Sequence, residues 1–277
     1  MNDNSKLPIQ LDPGGFNELK MCRTGPMLYN KYDIYMGGSL QKYGEFSVGE
    51  LELFAQVVRP GELVIEVGAN IGAHTVELSR LVGPGGEVHA FEPQRIVFQA
   101  LCANLALNQC TNVYARQAAV GDHAGTISVP ALDPSIRNNF GGVSLRNVDS
   151  GESVPLVALD SLGLPACRLL KVDVEGMEVE VLKGGEQLIW KHRPIMYLEN
   201  DRADRSEELL TLVDRLGYKA WWHLAPVFNP SNYSGDPVDI FGGVVSVNIA
   251  CVPEESAFAV NGLRPVSSPK DSWRAPR

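Results

Sequence analysis

Glu66-Val67-Gly68-Ala69-Asn70-Ile71-Gly72 follows the apolar run Leu63-Val64-Ile65, and Glu92 closes a second apolar run, Val88-His89-Ala90-Phe91, twenty-four residues after Gly68. Short Val/Ile/Leu runs of this kind are how buried parallel strands read. The residues after the first run must turn sharply, let backbone close on a ligand and open a helix, and two glycines permit that. A carboxylate at the end of the second strand can accept hydrogen bonds from both hydroxyls of a ribose. Together the two features point to a nucleoside held at the ends of two strands.

The loop narrows the choice of nucleoside. A dinucleotide fold uses G-x-G-x-x-G so that a helix N-terminus meets a pyrophosphate, and here Asn70 replaces the middle glycine. A ligand without phosphate fits better, and S-adenosylmethionine is one. Glu66 at the strand end offers a carboxylate to its cationic amino group. The expected cofactor set is Glu66, Gly68, Asn70, Gly72 and Glu92. Asp122, after the third strand, is added as an acceptor for the adenine amino group, and Glu45 as a lid residue reaching the cofactor.

Methyl transfer from a sulfonium is an in-line displacement, so alignment supplies most of the catalysis and a positioned base the remainder. Asp173 and Glu175 follow the fourth strand and face the expected transfer region. Asp173 is expected to touch the methionine end or the acceptor, and Glu175 to orient the acceptor or act as base; capping the next helix is the competing role for both. His223, after Trp221-Trp222, is the favoured base because imidazole titrates near neutrality. Its segment also carries Trp222, Asn229 and Asn232, whose aromatic and amide groups suit a sugar, and Glu199 joins them as an acceptor contact.

These residues require a frame of alternating strands and helices. Strands are expected at 62–67, 87–91, 113–116, 169–173 and 195–199, with 218–222 and 244–249 as an antiparallel edge. Helices are expected over 72–82, 94–108, from Val179 to Leu188, and around Leu209–Leu216. The predicted fold class is α/β: a Rossmann-like, doubly wound, seven-stranded, mostly parallel sheet with an antiparallel edge strand. Residues 1–20 are expected to be a flexible N-terminal segment, 21–58 a lid, 59–252 the main domain and 253–277 a flexible tail.

Composition excludes more than it identifies. A net charge of −9 without a Lys/Arg cluster argues against a nucleic-acid footprint. Neither a membrane span nor a secretory signal is legible, and five scattered cysteines lack a C-x-x-C pair. The expectation is a cytoplasmic enzyme with free thiols.

On Val67-Gly68-Ala69-Asn70-Ile71-Gly72, Phe91-Glu92-Pro93, Leu107-Asn108, Asn112-Val113 and Lys171-Val172-Asp173-Val174-Glu175-Gly176, with Glu178 and Val181-Leu182-Lys183-Gly184, the chain resembles the FkbM-type methyltransferases over roughly residues 28–252. The resemblance implies O-methylation of a sugar or other small natural product. It also implies independence of metal, although Asp173, Glu199 and Asn200 would offer Mg2+ an all-oxygen set. A nicotinamide oxidoreductase and a non-catalytic adenosylmethionine-binding module are the rival readings. The sequence leaves the acceptor's identity open, and leaves a homodimer open as well.

Overall fold

A computed structural model describes residues 11–146 and 148–274. The outermost parts of the two expected terminal segments, 1–10 and 275–277, lie outside the described residues. The chain opens with a hairpin, β1 (Asn17–Cys22) and β2 (Gly25–Asn30), followed by α1 (Met36–Tyr43) and α2 (Val48–Val57). Next come β3 (Leu63–Val67), α3 (Thr75–Val82), β4 (Glu87–Phe91), α4 (Arg95–Leu107) and β5 (Val113–Arg116). A side sheet follows, of β6 (Ala119–Val120), β7 (Gly125–Val129) and β8 (Glu152–Val157). The remainder is β9 (Leu169–Val172), α5 (Glu178–Gly184), α6 (Glu186–His192), β10 (Ile195–Glu199), α7 (Ala203–Arg215), β11 (Tyr218–Pro226), β12 (Val245–Pro253) and β13 (Arg264–Pro265).

The main sheet runs β13-β11-β12-β10-β9-β3-β4-β5. β10, β9, β3, β4 and β5 are mutually parallel, and β12 is antiparallel to both of its neighbours, β10 and β11. The fold is therefore the expected α/β doubly wound sheet, with the seventh strand inserted between the fifth and sixth. Alternation along β3 feeds both faces. Val64 packs with Leu51, Phe54 and Leu78 of α2 and α3, while Ile65 and Val67 pack with Val179, Leu182 and Leu209 of α5 and α7.

Three differences from expectation have local causes. The helix expected from Val179 to Leu188 is two short helices broken at Gly185. A side chain on Gly184 would run into the Gly121 carbonyl, 1.9 Å from the added Cβ, so this glycine-rich break lets the side sheet approach. The segment read as a C-terminal tail instead supplies β13, which pairs with β11, and Asp271 receives hydrogen bonds from Arg264 and Trp222. At the other end, residues 17–57 form ordered elements against the sheet. Asn104 of α4 accepts from Leu28 N–H at 2.6 Å and donates to the Leu28 and Ile71 carbonyls, tying the hairpin to the Gly68–Gly72 turn.

Candidate functional site

The site lies where β3, β4, β9 and β10 end, the edge at which parallel sheets open a crevice. After β3 the chain turns through left-handed backbone at Gly68 (φ 82°), Asn70 (φ 50°) and Gly72 (φ 86°). Gly68 is sterically required: a Cβ there would lie 1.8 Å from the Asp173 carbonyl oxygen. This contact clasps the β3 turn against the β9 turn. Glu92, at the end of β4, accepts the Asn70 N–H at 3.0 Å on Oε2 and the Gln94 N–H at 2.8 Å on Oε1. It is buried, and burial lifts its carboxyl to about 7 against the pull of those two donors.

Two spaces meet at this point. A narrow apolar slot is walled by Phe91, Ala118, Ala119, Val120, Val143 and Met177. A polar cavity of about 390 Å³ runs from the turn toward α1, α2 and β12. Gly68, Glu92, Gly141, Asp173 and Glu175 border both. Phe140–Val143 comes from the long stretch between β7 and β8, held by Gln94 Nε2 donating to the Phe140 carbonyl at 2.7 Å. Slot and cavity thus form one continuous crevice bent around the β3 turn.

The cavity floor is a charge network centred on Lys171, which is 2% exposed. Its ammonium lies 3.3 Å from Asp173 Oδ2 and 3.7 Å from Glu66 Oε1. Burial lowers its proton affinity, but Asp173, Glu66 and Glu50 more than compensate, and the net direction is upward. Glu66 is buried and its value is raised by burial; its Oε2 accepts from Thr75 at 2.7 Å and its Oε1 lacks a hydrogen-bond partner. Glu50 is also buried and lifted by burial to about 7, and Ser47 donates to it at 2.8 Å.

A second acidic group caps the crevice. Asp173, Glu175 and Glu199 bring carboxylate oxygens within 4.8 Å of one another. Burial and then the Asp173 charge raise Glu175 to about 7, with Arg202 pairing to it, and burial with the charges of Asp173 and Glu175 pushes Glu199 well up. Hard-oxygen clusters suit Mg2+, but Lys171 and Arg202 already set a cation against two of the three groups. The expected metal set included Asn200; it is buried behind Glu199, does not line the cavity, and Glu175 takes its place in the acidic cluster.

Glu66, Gly68, Asn70, Glu92, Asp173, Glu175 and Glu199 all line the crevice, and Gly72 shapes its turn. Six other expected residues do not line it. His223 is bonded to the Tyr197 hydroxyl at 2.8 Å on Nδ1 and stacks edge-on with that ring. Burial lowers its proton affinity. Trp222 points to the opposite face of β11, into the α7 core, with Nε1 donating to Asp271 at 3.3 Å. Glu45 is saturated by Arg23 at 2.7 Å, Tyr233 N–H at 2.7 Å and Asn229 at 2.8 Å, and Asn232 bonds the Asn229 and Asp236 carbonyls. These three side chains tie the loop after β11 to the N-terminal segment. Asp122 sits on an exposed turn bonded to His123. In its place the apolar wall of Ala118–Val120 faces the slot.

Lys171, Glu50, His74, Arg202 and the slot walls Phe91, Ala118, Ala119, Val120 and Met177 were not assigned site roles from sequence, whereas Val143 lies in the 140–144 stretch that the sequence offered as a wall. Lys171 alone had a usable signal, a charged residue inside an otherwise apolar core strand. Such a residue is buried only when paired.

With the geometry in place, comparison with known proteins gives a consistent result. Residues 66–220 match the methyltransferase FkbM domain. The chain is 30% identical over 204 residues to 31-O-demethyl-FK506 methyltransferase FkbM of Streptomyces tacrolimicus, covering 62% of this chain and 78% of that protein. It is 28% identical over 138 residues to hexuronic acid methyltransferase AglP of Haloferax volcanii, covering 48% of this chain and 54% of that protein. A crystal structure of methyltransferase FkbM from Methylobacillus flagellatus KT aligns with TM-score 0.45 and 19% identity, over 73% of this chain and 50% of that chain. The nucleoside-type turn, the acidic strand end and the matched segment coincide, and the chain belongs to the FkbM methyltransferase family.

Proposed function

We propose that this protein is an S-adenosylmethionine-dependent methyltransferase that methylates a hydroxyl of a sugar or secondary metabolite. The observation that carries this reading is the bent crevice, an apolar slot joined to an acidic cavity at Gly68, Glu92 and Asp173. The donor set fits the cofactor part by part. An adenine ring fits between Phe91, Ala119, Val120 and Met177, and Glu92 stands at the mouth of that slot to accept from a ribose. Glu66 Oε1, ion-paired with Lys171 at 3.7 Å but without a hydrogen bond, offers an acceptor to an ammonium. The bound cofactor supplies an electrophilic methyl group on a sulfonium.

The chain's own residues do the rest. Asp173 and Glu175 border both spaces, where the methyl group and the acceptor oxygen must meet. Glu175, lifted to about 7 and steadied by Arg202, is suited to take the hydroxyl proton, since a base works best with a value near the operating pH. Asp173 is held by Lys171 and orients the acceptor. His223 has no such access and is assigned a structural role. Transfer needs no metal in this reading, because Lys171 and Arg202 already serve as counter-charges.

Calorimetric titration with S-adenosylmethionine and S-adenosylhomocysteine, repeated with NADH and with Mg2+ after chelation, tests this. Binding of the sulfur pair alone, insensitive to Mg2+, is the expected result. Binding of NADH instead, or of neither, would overturn it.

A further inference from the structure

The family match begins at residue 66, yet Tyr35, Met36, Phe46 and Glu50 build part of the cavity wall before it. Glu50 of α2, His74 at the start of α3 and Lys171 of β9 are buried polar residues that line the same cavity, at 2%, 5% and 2% exposure. His74 has no part in the chemistry described so far. Its Nε2 is buried without a hydrogen-bond partner, a state native proteins rarely leave unrelieved. The ring packs edge-on to Phe54 at 5.7 Å and beside Phe46, itself a cavity-wall residue, at 6.0 Å.

Charge decides what that nitrogen can receive. The Lys171 ammonium is already met by Asp173 at 3.3 Å and Glu66 at 3.7 Å, with Glu50 as a third carboxylate in its field. An incoming anion would find three acidic groups for one base. An uncharged hydroxyl both donates and accepts, and a neutral imidazole can answer it either way. Burial and the Lys171 charge hold His74 well below the usual imidazole range, which keeps it neutral. Met36 and Phe46 add apolar surface for the C–H face of a ring.

We propose that His74, backed by Glu50 and Lys171, is the acceptor's specificity subsite, taking an uncharged hydroxyl on a ring and rejecting a carboxylate at that position. The proposal rests on the methyltransferase reading. It also gives the N-terminal segment a role in acceptor choice.

The test begins with the S-adenosylhomocysteine affinity of the wild-type protein. The saturated complex is then titrated with methyl glucopyranoside and with glucuronate, following the His74 ring resonances in 15N-histidine-labelled protein. The expected result is a saturable shift with the neutral probe and binding of glucuronate weaker by about tenfold or more. Followed by calorimetry, since the variants carry no His74 ring, His74→Phe should abolish neutral-probe binding without changing the S-adenosylhomocysteine affinity, while His74→Gln, which can still donate and accept, should retain it. Equal or tighter glucuronate binding, or no saturable response to the neutral probe, would overturn the proposal. Loss of S-adenosylhomocysteine affinity in His74→Phe would overturn it too, assigning the nitrogen to the cofactor's methionine end. Should His74→Phe not fold, the wild-type titrations and His74→Gln still decide. Failure of the wild type to bind S-adenosylhomocysteine at all would refute the methyltransferase reading and this inference with it.

Discussion

Replacing Glu92 by Gln probes the proposed ribose contact and the strand end together. Each carboxylate oxygen accepts one backbone N–H, from Asn70 at 3.0 Å and from Gln94 at 2.8 Å. An amide presents one oxygen and one donor, so one N–H loses its acceptor and faces another donor. A buried unsatisfied group costs ~1–3 kcal/mol, a loss of several degrees in Tm for a chain of this size. Burial sets the pH behaviour. Glu92 is raised from 4.5 to about 7, so its contribution to stability is fully present below the unfolded value and is lost as pH rises through the folded one. The loss amounts to about 3 kcal/mol at most. Cofactor affinity runs the opposite way, because ribose hydroxyls donate to the ionised carboxylate. Wild-type affinity for S-adenosylhomocysteine should rise about tenfold from roughly pH 6 to roughly pH 8. In Glu92→Gln this component of the pH dependence should be lost, and the affinity should be lower by about 10–100-fold, the worth of a charged hydrogen bond. Calorimetry across that range, with melts on the same samples, measures both trends. A wild-type Kd independent of pH, or an unchanged Kd in the variant, would refute the assignment.

Three further outcomes follow from the packing. Gly68→Ala drives a Cβ to 1.8 Å from the Asp173 carbonyl in left-handed backbone and should lose soluble yield, whereas Gly72→Ala meets only the flexible Leu101 Cδ1 at 2.7 Å and should melt measurably but fold. Lys171→Met should cost ~3–5 kcal/mol in urea unfolding at neutral pH, as removing one partner from a buried ionic group does. Glu50 and Glu66, already displaced upward, take up protons on acidification, so the deficit should shrink toward about pH 5, and a pH-independent deficit would contradict the charge network. His223→Ala should leave S-adenosylhomocysteine affinity and turnover unchanged while losing about 1 kcal/mol of stability with the Tyr197 bond; a collapse of turnover alone would restore His223 as the base.

The parallel strands β3, β4 and β10 were legible nearly to the residue because strands buried on both faces read as continuous apolar runs. The glycines follow the first of these runs and Glu92 the second, so the turn at Gly68 and its acidic neighbour could be placed from spacing alone. The N-terminal hairpin was not legible. Its burial is intermediate along nearly every residue, which leaves no clean alternation to read. Glu50 fails for a different reason: within Val48–Val57 an acidic residue reads as a solvated helix face, and its burial depends on Lys171 far along the chain. No local pattern records that partnership.

The misplaced acceptor group shows where spacing stops being informative. Trp222 and His223 are consecutive residues of one strand, so their side chains must leave it on opposite faces and could not both front one ligand. Trp222 accordingly joins the α7 core and His223 turns to Tyr197 on the α2 side. Chemical suitability alone had grouped them, whereas the period of two along β11 separates them. The same reasoning favours Asp173 and Glu175. They lie just past the end of β9, where the strand period no longer applies and left-handed backbone at Glu175 (φ 56°) and Gly176 (φ 100°) turns the chain across the crevice mouth. Residues beyond strand ends can converge on a ligand whatever their parity. Within a strand, parity must be satisfied before the chemistry of a side chain counts for anything.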